Sequence, residues 1–180
     1  MSGNHTVAAI DCGTNSIRLL IASAGSDGRL VEQARELELV RLGEGVDATG
    51  AFRPDALERT FAACRSFAAM VEQHDCDQVR FVATSAARDV SNRNAFFTGV
   101  RQALGVDAEV IDGTEEARLS FAGAMSGVQV SDEPVLVIDC GGGSTELVLG
   151  RGTGIDSQVS INIGSVRLRE RFLHDDPPTV

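Results

Sequence analysis

The feature that most constrains the fold of this chain is a duplicated stretch of ten residues. The two copies, Ile-Asp-Cys-Gly-Thr-Asn-Ser-Ile-Arg-Leu at 10–19 and Ile-Asp-Cys-Gly-Gly-Gly-Ser-Thr-Glu-Leu at 138–147, agree at six positions. Each copy predicts an apolar strand that ends in an aspartate, then a tight loop and a second apolar strand. Ordinary hairpin turns are the alternative because Gly-Gly is a common turn sequence, but such turns need not share an aspartate and a serine.

A glycine-containing loop of this kind suits the binding of phosphate. Glycines let backbone N–H groups come close to phosphate oxygens, hydroxyl side chains add donors, and an aspartate at the strand end can hold Mg²⁺ directly or through water. Two such loops that face each other would hold one polyanion from opposite sides. The repeat therefore predicts a phosphate site between two hairpins.

The remaining sequence predicts strands and helices that alternate and are followed by further strands. In chain order we expect a strand over 29–42, a flexible connection over 43–53, a helix from Pro54, a strand over 79–84, a helix capped by Asn92, a strand over 109–111, a helix capped by Thr114 that runs to about Met125, a polar boundary over 126–133, strands over 135–139, 145–149 and 155–162, and a helix over 165–173. This order predicts an α/β architecture with two related halves. We expect a first lobe over residues 1–125 and the truncated beginning of a second lobe over residues 126–180.

Composition limits the possible partners and mechanisms. The net charge of −10 disfavours binding to nucleic acid or to an anionic membrane surface. All sixteen basic residues are arginines, which excludes a P-loop mechanism because that mechanism needs a lysine. The sequence contains neither a long apolar run nor a basic segment leading into one, so we expect no membrane span, no signal peptide and a cytoplasmic location.

The four cysteines lack the spacing of a metal site and the density of a disulfide scaffold. We therefore expect reduced thiols. Cys12 and Cys140 follow the two strand-end aspartates inside apolar runs, which predicts that both are buried.

Four motifs resemble the exopolyphosphatase and guanosine pentaphosphate phosphohydrolase family of the actin-like ATPase superfamily. They occur in the order typical of that family, at residues 9–22, 83–89 (Ala-Thr-Ser-Ala-Ala-Arg-Asp), 115–119 (Glu-Glu-Ala-Arg-Leu) and 137–149. The resemblance implies an actin-like, ribonuclease H-like fold with a mixed sheet flanked by helices. It also implies an enzyme that releases terminal orthophosphate from inorganic polyphosphate, with guanosine pentaphosphate as a related substrate and Mg²⁺ or another hard divalent cation as cofactor.

The resemblance further implies roles for individual residues. Glu116 would activate the attacking water, and three carboxylates would serve the metal and phosphate site, namely Asp11, Asp139 and Glu146. Phosphate oxygens would be bound by Arg88 and by the loop residues Gly13, Thr14, Asn15, Ser16, Gly141, Gly142, Gly143, Ser144 and Thr145. Structural alternatives are a solvated Glu146, a surface Arg88 and an Arg118 that only forms a surface pair on its helix.

Two other functions stay open on the sequence alone. One is a nucleotide or alarmone sensor that binds without turnover, and the other is an ATP-dependent sugar or acid kinase of the same superfamily. A homodimer also stays open. The Glu-Glu-Ala-Arg motif favours hydrolysis, by resemblance.

Overall fold

The computed structural model describes residues 5–25, 29–88, 90–128, 133–173, 175 and 177. Its strands are β1 Thr6–Cys12, β2 Ser16–Ala24, β3 Leu30–Leu39, β4 Gln78–Ala83, β5 Ala108–Val110, β6 Val135–Cys140, β7 Thr145–Arg151 and β8 Gly154–Ile161. Its helices are α1 Val46–Thr49, α2 Pro54–Gln73, α3 Ser85–Arg88, α4 Arg93–Leu104, α5 Gly113–Ser126 and α6 Ser165–Phe172. No helix in these described ranges is long and apolar enough to span a membrane.

Five strands form a mixed sheet, sheet A, in the order β3-β2-β1-β4-β5. The hairpin β1–β2 and the pair β2–β3 are antiparallel, whereas β4 lies parallel to β1 and β5 parallel to β4. Parallel neighbours need a crossover connection, which α2 supplies before β4 and α4 supplies before β5. This arrangement confirms the predicted α/β fold with a mixed sheet flanked by helices.

The main core lies between sheet A and the helices α2 and α4. Alternate residues of β1 and β2, such as Ile10 and Leu19, point into it because successive side chains of a strand face opposite sides. The helices add Phe67 and Phe96, both almost fully buried. Pro54 occupies the first turn of α2, where its missing N–H has no helical partner to lose.

The other three strands form an antiparallel meander, sheet B, in the order β6-β7-β8. Helix α5 packs on all three of its strands, and Phe121 and Met125 form a second, smaller core with Val148. The division into lobes after residue 125 stays a prediction. In the structure α5 packs on sheet B, although the prediction assigned it to the first lobe.

The structure differs from the sequence prediction at the two helix caps that were predicted, those of α4 and α5. Asn92 precedes α4 as predicted, but its side chain bonds the backbone N–H and C=O of Phe52, at 2.9 Å each, and makes no cap bond. The prediction of Thr114 as the cap of α5 is wrong, because Asp112 is the cap and accepts from the N–H of Glu115 at 2.8 Å. The connection over 43–53 contains the short helix α1, and the predicted boundary over 126–133 lies partly outside the described residues.

Candidate active site

The duplicated hairpins close their loops in the same way. In the first loop the N–H of Gly13 donates to the carbonyl of Ser16 at 2.9 Å, and in the second the N–H of Gly141 donates to the carbonyl of Ser144 at 3.0 Å. The strands that carry them belong to different sheets. The sequence repeat therefore corresponds to a structural repeat.

The two loops lie against each other. A Cβ built on Gly143 would lie 2.6 Å from both the Thr14 Oγ1 and the Ser85 Oγ, so this approach requires a residue without a side chain. The hydroxyl groups of Thr14 and Ser85 are hydrogen-bonded at 3.0 Å. Contact between the loops is thus direct and runs through Thr14.

Beside this contact is a polar cavity of about 210 Å³. Asp11 and Asp139, the two strand-end aspartates, both line it. The predicted site residues that line it are Asp11, Gly13, Thr14, Asn15, Ser16, Glu116, Asp139, Gly141, Gly142 and Ser144. One cavity therefore brings together both loops and the predicted base.

Helix α6 fixes the second loop. The N–H groups of Ser165 and Val166 donate to the carbonyls of Gly141 and Gly142 at 3.0 and 2.9 Å. A Cβ on Gly164 would lie 2.4 Å from the carbonyl group of Gly142, so only glycine fits before this helix. Two peptide groups of the loop are consequently held in one orientation.

Glu116 lies in the first helical turns of α5, in a partly buried position. Its side chain is 16% exposed and pairs with the guanidinium Nη2 of Arg88. Burial raises the pKa of Glu116 to about 7, the negative charge of Glu146 adds to the rise, and Arg88 and Thr84 act against it. A carboxylate with a pKa near neutrality is well matched to accepting a proton from water.

Arg88 contacts Glu116 and does not line the cavity. Its Nε donates to the carbonyl of Ile111 at 3.1 Å, and its side chain is 19% exposed. The alternative of a surface position for Arg88 is therefore wrong. Its predicted contact with phosphate stays a prediction.

The carboxylates predicted to hold a metal ion have different surroundings. Burial raises the pKa of Asp11, Arg18 lowers it and Asp139 raises it again. Asp139 accepts a hydrogen bond from Ser120, while Glu146 is 1% exposed and accepts from the Ser160 hydroxyl at 2.8 Å. The alternative of a solvated Glu146 is thus wrong.

Two carboxylates at one cavity fit a hard divalent cation. Mg²⁺ prefers oxygen ligands and is often held by one or two carboxylates, with water and substrate phosphates in the other positions. Asp11 and Asp139 offer such a pair. Within the described ranges, no group of three His, Cys, Asp or Glu side chains is arranged to hold a metal by itself.

Four predicted site residues do not line the cavity, namely Arg88, Gly143, Thr145 and Glu146. The Thr145 hydroxyl is occupied because it donates to the carbonyl of Ile163 at 2.5 Å. Conversely, Arg18, Thr84, Ser85, Cys140 and Ser165 line the cavity without having been assigned to it. Position gives the signal for Thr84 and Ser85, because they directly follow β4, whose end lies beside the end of β1.

Other expectations have mixed outcomes. The four cysteines are free thiols, and Cys12 is buried as predicted. Cys140 is exposed, so its predicted burial is wrong: it lies on the same face of β6 as the exposed Leu136 and Ile138, opposite the face that packs on α5. Arg118 forms the expected helix-surface pair with Glu115, at 2.7 Å.

A protein-family model described as the Ppx/GppA phosphatase family matches residues 21–180. The chain belongs to this family. Among curated proteins, this Ppx/GppA chain is 53% identical to Exopolyphosphatase 2 of Mycobacterium tuberculosis, over 97% of this chain and 57% of that protein. It is 36% identical to the bifunctional 3-dehydroquinate synthase/phosphatase of Fusobacterium nucleatum, over 94% of this chain and 26% of that protein.

Solved structures of Ppx/GppA proteins share the fold. An exopolyphosphatase-like protein is 51% identical with a TM-score of 0.92, covering 98% of this chain and 56% of that one. An exopolyphosphatase from Cytophaga hutchinsonii is 33% identical with a TM-score of 0.90, covering 97% of this chain and 56% of that one. The Aquifex aeolicus family member is 34% identical with a TM-score of 0.79, covering 97% of this chain and 56% of that one. The chain thus spans little more than half the length of these structures.

Proposed function

We propose that the protein is a hydrolase that releases the terminal orthophosphate of inorganic polyphosphate. The observation that carries this proposal is the single cavity in which both glycine loops, both strand-end aspartates and Glu116 meet. Family membership supports the reaction class, and the M. tuberculosis relative is named an exopolyphosphatase. The sensor and kinase alternatives are not favoured, because these names describe phosphatases.

The loops would bind and orient the terminal phosphate. Backbone N–H groups near Gly13 and Gly141, with the hydroxyls of Ser16 and Ser144, are the donors that such an anion requires. Asp11 and Asp139 would hold Mg²⁺, which neutralises charge on the transferred phosphoryl group. Because that transition state is loose and highly charged, this binding supplies positioning and charge stabilisation.

Glu116 would act as the general base. As a water oxygen bonds to the terminal phosphorus, Glu116 accepts a proton from that water. The bond from phosphorus to the bridging oxygen breaks, and the shortened polyphosphate leaves with the bridging oxygen. Arg88 donates a hydrogen bond to the Glu116 carboxylate, and the negative charge of Glu146 helps to keep the pKa of Glu116 high.

The test is orthophosphate release by the full-length protein from polyphosphate with Mg²⁺. We expect Glu116→Gln to lower kcat by a factor of about 10² to 10⁴, the usual contribution of a general base. Glu115→Gln is the matched control, because the Glu115 side chain points to Arg118 on the helix surface. Equal rates for wild type and Glu116→Gln would remove Glu116 from the reaction.

Guanosine pentaphosphate is a second candidate substrate, favoured by a largely apolar cavity of about 530 Å³. This cavity shares Asp11 and Arg18 with the phosphate site, and Leu37 and Leu119 contribute apolar walls that suit a nucleobase. We expect Leu37→Asp to lower kcat/KM for guanosine pentaphosphate and to leave tripolyphosphate hydrolysis unchanged. Loss of both activities together would count against separate recognition of the nucleoside.

The cytoplasmic location and the homodimer stay predictions.

A further inference from the structure

A third cavity adjoins the phosphate site on the side of the first loop. Its volume is about 610 Å³, and it shares Asn15 with the phosphate cavity. The residues that line it come from the first loop, from the segment after β3, from the residue before α2 and from α6, and they are Asn15, Arg41, Glu44, Gly45, Arg53, Val166, Arg169 and Glu170. A ligand in the phosphate cavity can therefore extend past Asn15 into it.

Some charged side chains of this third cavity have hydrogen-bond or ion-pair partners, and others have none among the described residues. Arg53 is paired with Glu44 and Asp55, and Glu170 accepts from the N–H of Gly45 at 3.0 Å. Within the described ranges, no hydrogen bond or salt bridge reaches the guanidinium groups of Arg41 and Arg169. Two arginines with free donors thus line one cavity in a chain whose net charge is −10.

The backbone at Arg41 places this residue beside the first loop. Arg41 has a φ of 49°, in the left-handed region that costs a residue with a side chain about 1 kcal/mol or more. Its N–H donates to the carbonyl of Asn15 at 2.9 Å, and its carbonyl accepts from Glu44 at 3.0 Å. The strained conformation is therefore tied directly to the loop that lines the phosphate cavity.

The apolar cavity on the other side offers a poorer route for a polyanion. Two of its three arginines, Arg35 and Arg80, already pair with Glu32 and Glu109, at 2.7 and 2.6 Å, and the third, Arg18, lies across from Asp11 and acts on the charge of that carboxyl. Asp11 and Glu36 add negative charge to its lining. Guanidinium groups with free N–H donors are the side chains that best recognise phosphate, and the cavity on the Arg41 side has two of them, on Arg41 and Arg169.

We propose that the cavity of Arg41 and Arg169 binds the inner phosphates of a polyphosphate chain whose terminal phosphate lies between the two glycine loops. This inference rests on the proposed function and adds the direction in which the substrate leaves the site. It assigns substrate binding to Arg41 and Arg169, which take no part in the chemical step. Long chains then gain contacts that short chains do not reach.

The experiment compares Arg41→Ala/Arg169→Ala with wild type in the full-length protein, on long-chain polyphosphate and on tripolyphosphate. We expect KM for the long chain to rise roughly tenfold with kcat unchanged, and KM for tripolyphosphate to change less than about twofold. The charge-matched control is Arg65→Ala/Arg101→Ala, because both of these arginines are exposed, pair with Glu58 and Asp107, and lie outside the cavity. The control should leave both KM values near those of wild type.

Two results would overturn the inference. One is an unchanged KM for long chains in the Arg41/Arg169 variant, and the other is an equal rise for both substrates or in the control, which would indicate a general charge effect. Calorimetric titration with long-chain polyphosphate makes the same comparison without turnover. A wild type that releases no phosphate refutes the proposed function, whereas tighter binding by wild type than by the variant still supports this site.

Discussion

The pKa of Glu116 provides a quantitative test of its role as a base. Burial is the main cause of the rise from 4.5 to about 7, and Glu146 contributes to it, so the free protein should lose this proton near neutral pH. The pH dependence of kcat/KM reports ionisation in the free enzyme, which is the state that the structure describes. A surface glutamate would be ionised throughout this range and would give no such dependence.

The magnitude follows from the ionised fraction. With a pKa of about 7, roughly one tenth of Glu116 is ionised at about pH 6 and roughly nine tenths at about pH 8. We therefore expect kcat/KM for polyphosphate to rise about tenfold between these pH values and to level off above them. The assay is orthophosphate release at saturating Mg²⁺ and constant ionic strength.

The residual activity of Glu116→Gln is the internal control. Polyphosphate and its metal complexes also titrate, and any dependence that they cause should persist in this variant. A flat profile in wild type, or the same rise in wild type and in Glu116→Gln, refutes the assignment of the pKa to a catalytic Glu116.

Stability should respond in the opposite direction. The folded protein binds the Glu116 proton more tightly than the unfolded chain does, so this group makes folding less favourable as pH rises from about 4.5 to about 7. At about 1.4 kcal/mol per pKa unit the effect is at most about 3 kcal/mol, reduced by partial exposure of the side chain. Glu116→Gln should therefore raise Tm relative to wild type more at about pH 8 than at about pH 5. A difference in Tm that does not change with pH contradicts this reasoning.

Further predictions concern packing and the loops. Gly164→Ala should destabilise the protein by about 1–3 kcal/mol in denaturant unfolding and lower activity, because its Cβ overlaps Gly142. Gly123→Ala has open space around it within α5 and should be neutral or stabilising by up to about 1 kcal/mol, so equal losses would contradict the packing argument. Phe96→Ala should cost about 3–5 kcal/mol in the same assay, since its ring is fully buried beside Phe52, Phe81 and Phe97; a loss under about 1 kcal/mol would contradict this. Cys140 should react with a thiol reagent in the folded protein while Cys12, whose pKa is raised by burial, reacts only after unfolding, and bound phosphate should slow Cys140 alone.

Local sequence determined the hairpins and the order of elements. The alternation of apolar residues in β1 and β2, and the glycines that follow Cys12 and Cys140, specify strand, loop and strand without help from distant residues. The same holds for α2, where Pro54 marks the first turn and the apolar residues recur at helical spacing. A resemblance across four motifs then identified the family that the family model confirms.

Helix caps were less predictable because several neighbouring residues could act as the cap. Asp112 and Thr114 are both good cap residues, and in the structure α5 begins at Gly113, so Asp112 is the cap. The Asn92 side chain found its partner in Phe52, forty residues earlier in the chain. Such choices depend on which backbone groups lie nearby after folding.

Only the tertiary structure decided the environment of the functional groups. Cys12 and Cys140 occupy equivalent positions of the repeat, yet Cys12 is buried beneath α2 and α4 while Cys140 lies on the face of sheet B that α5 does not cover. Glu116 on α5 owes its raised pKa to burial and to Glu146 on β7, and it owes its pairing to Arg88 on α3. A sequence pattern predicts which residues of a strand share one face of the sheet. Desolvation and charge pairing depend on what packs against each side chain, and this is fixed only when distant segments come together.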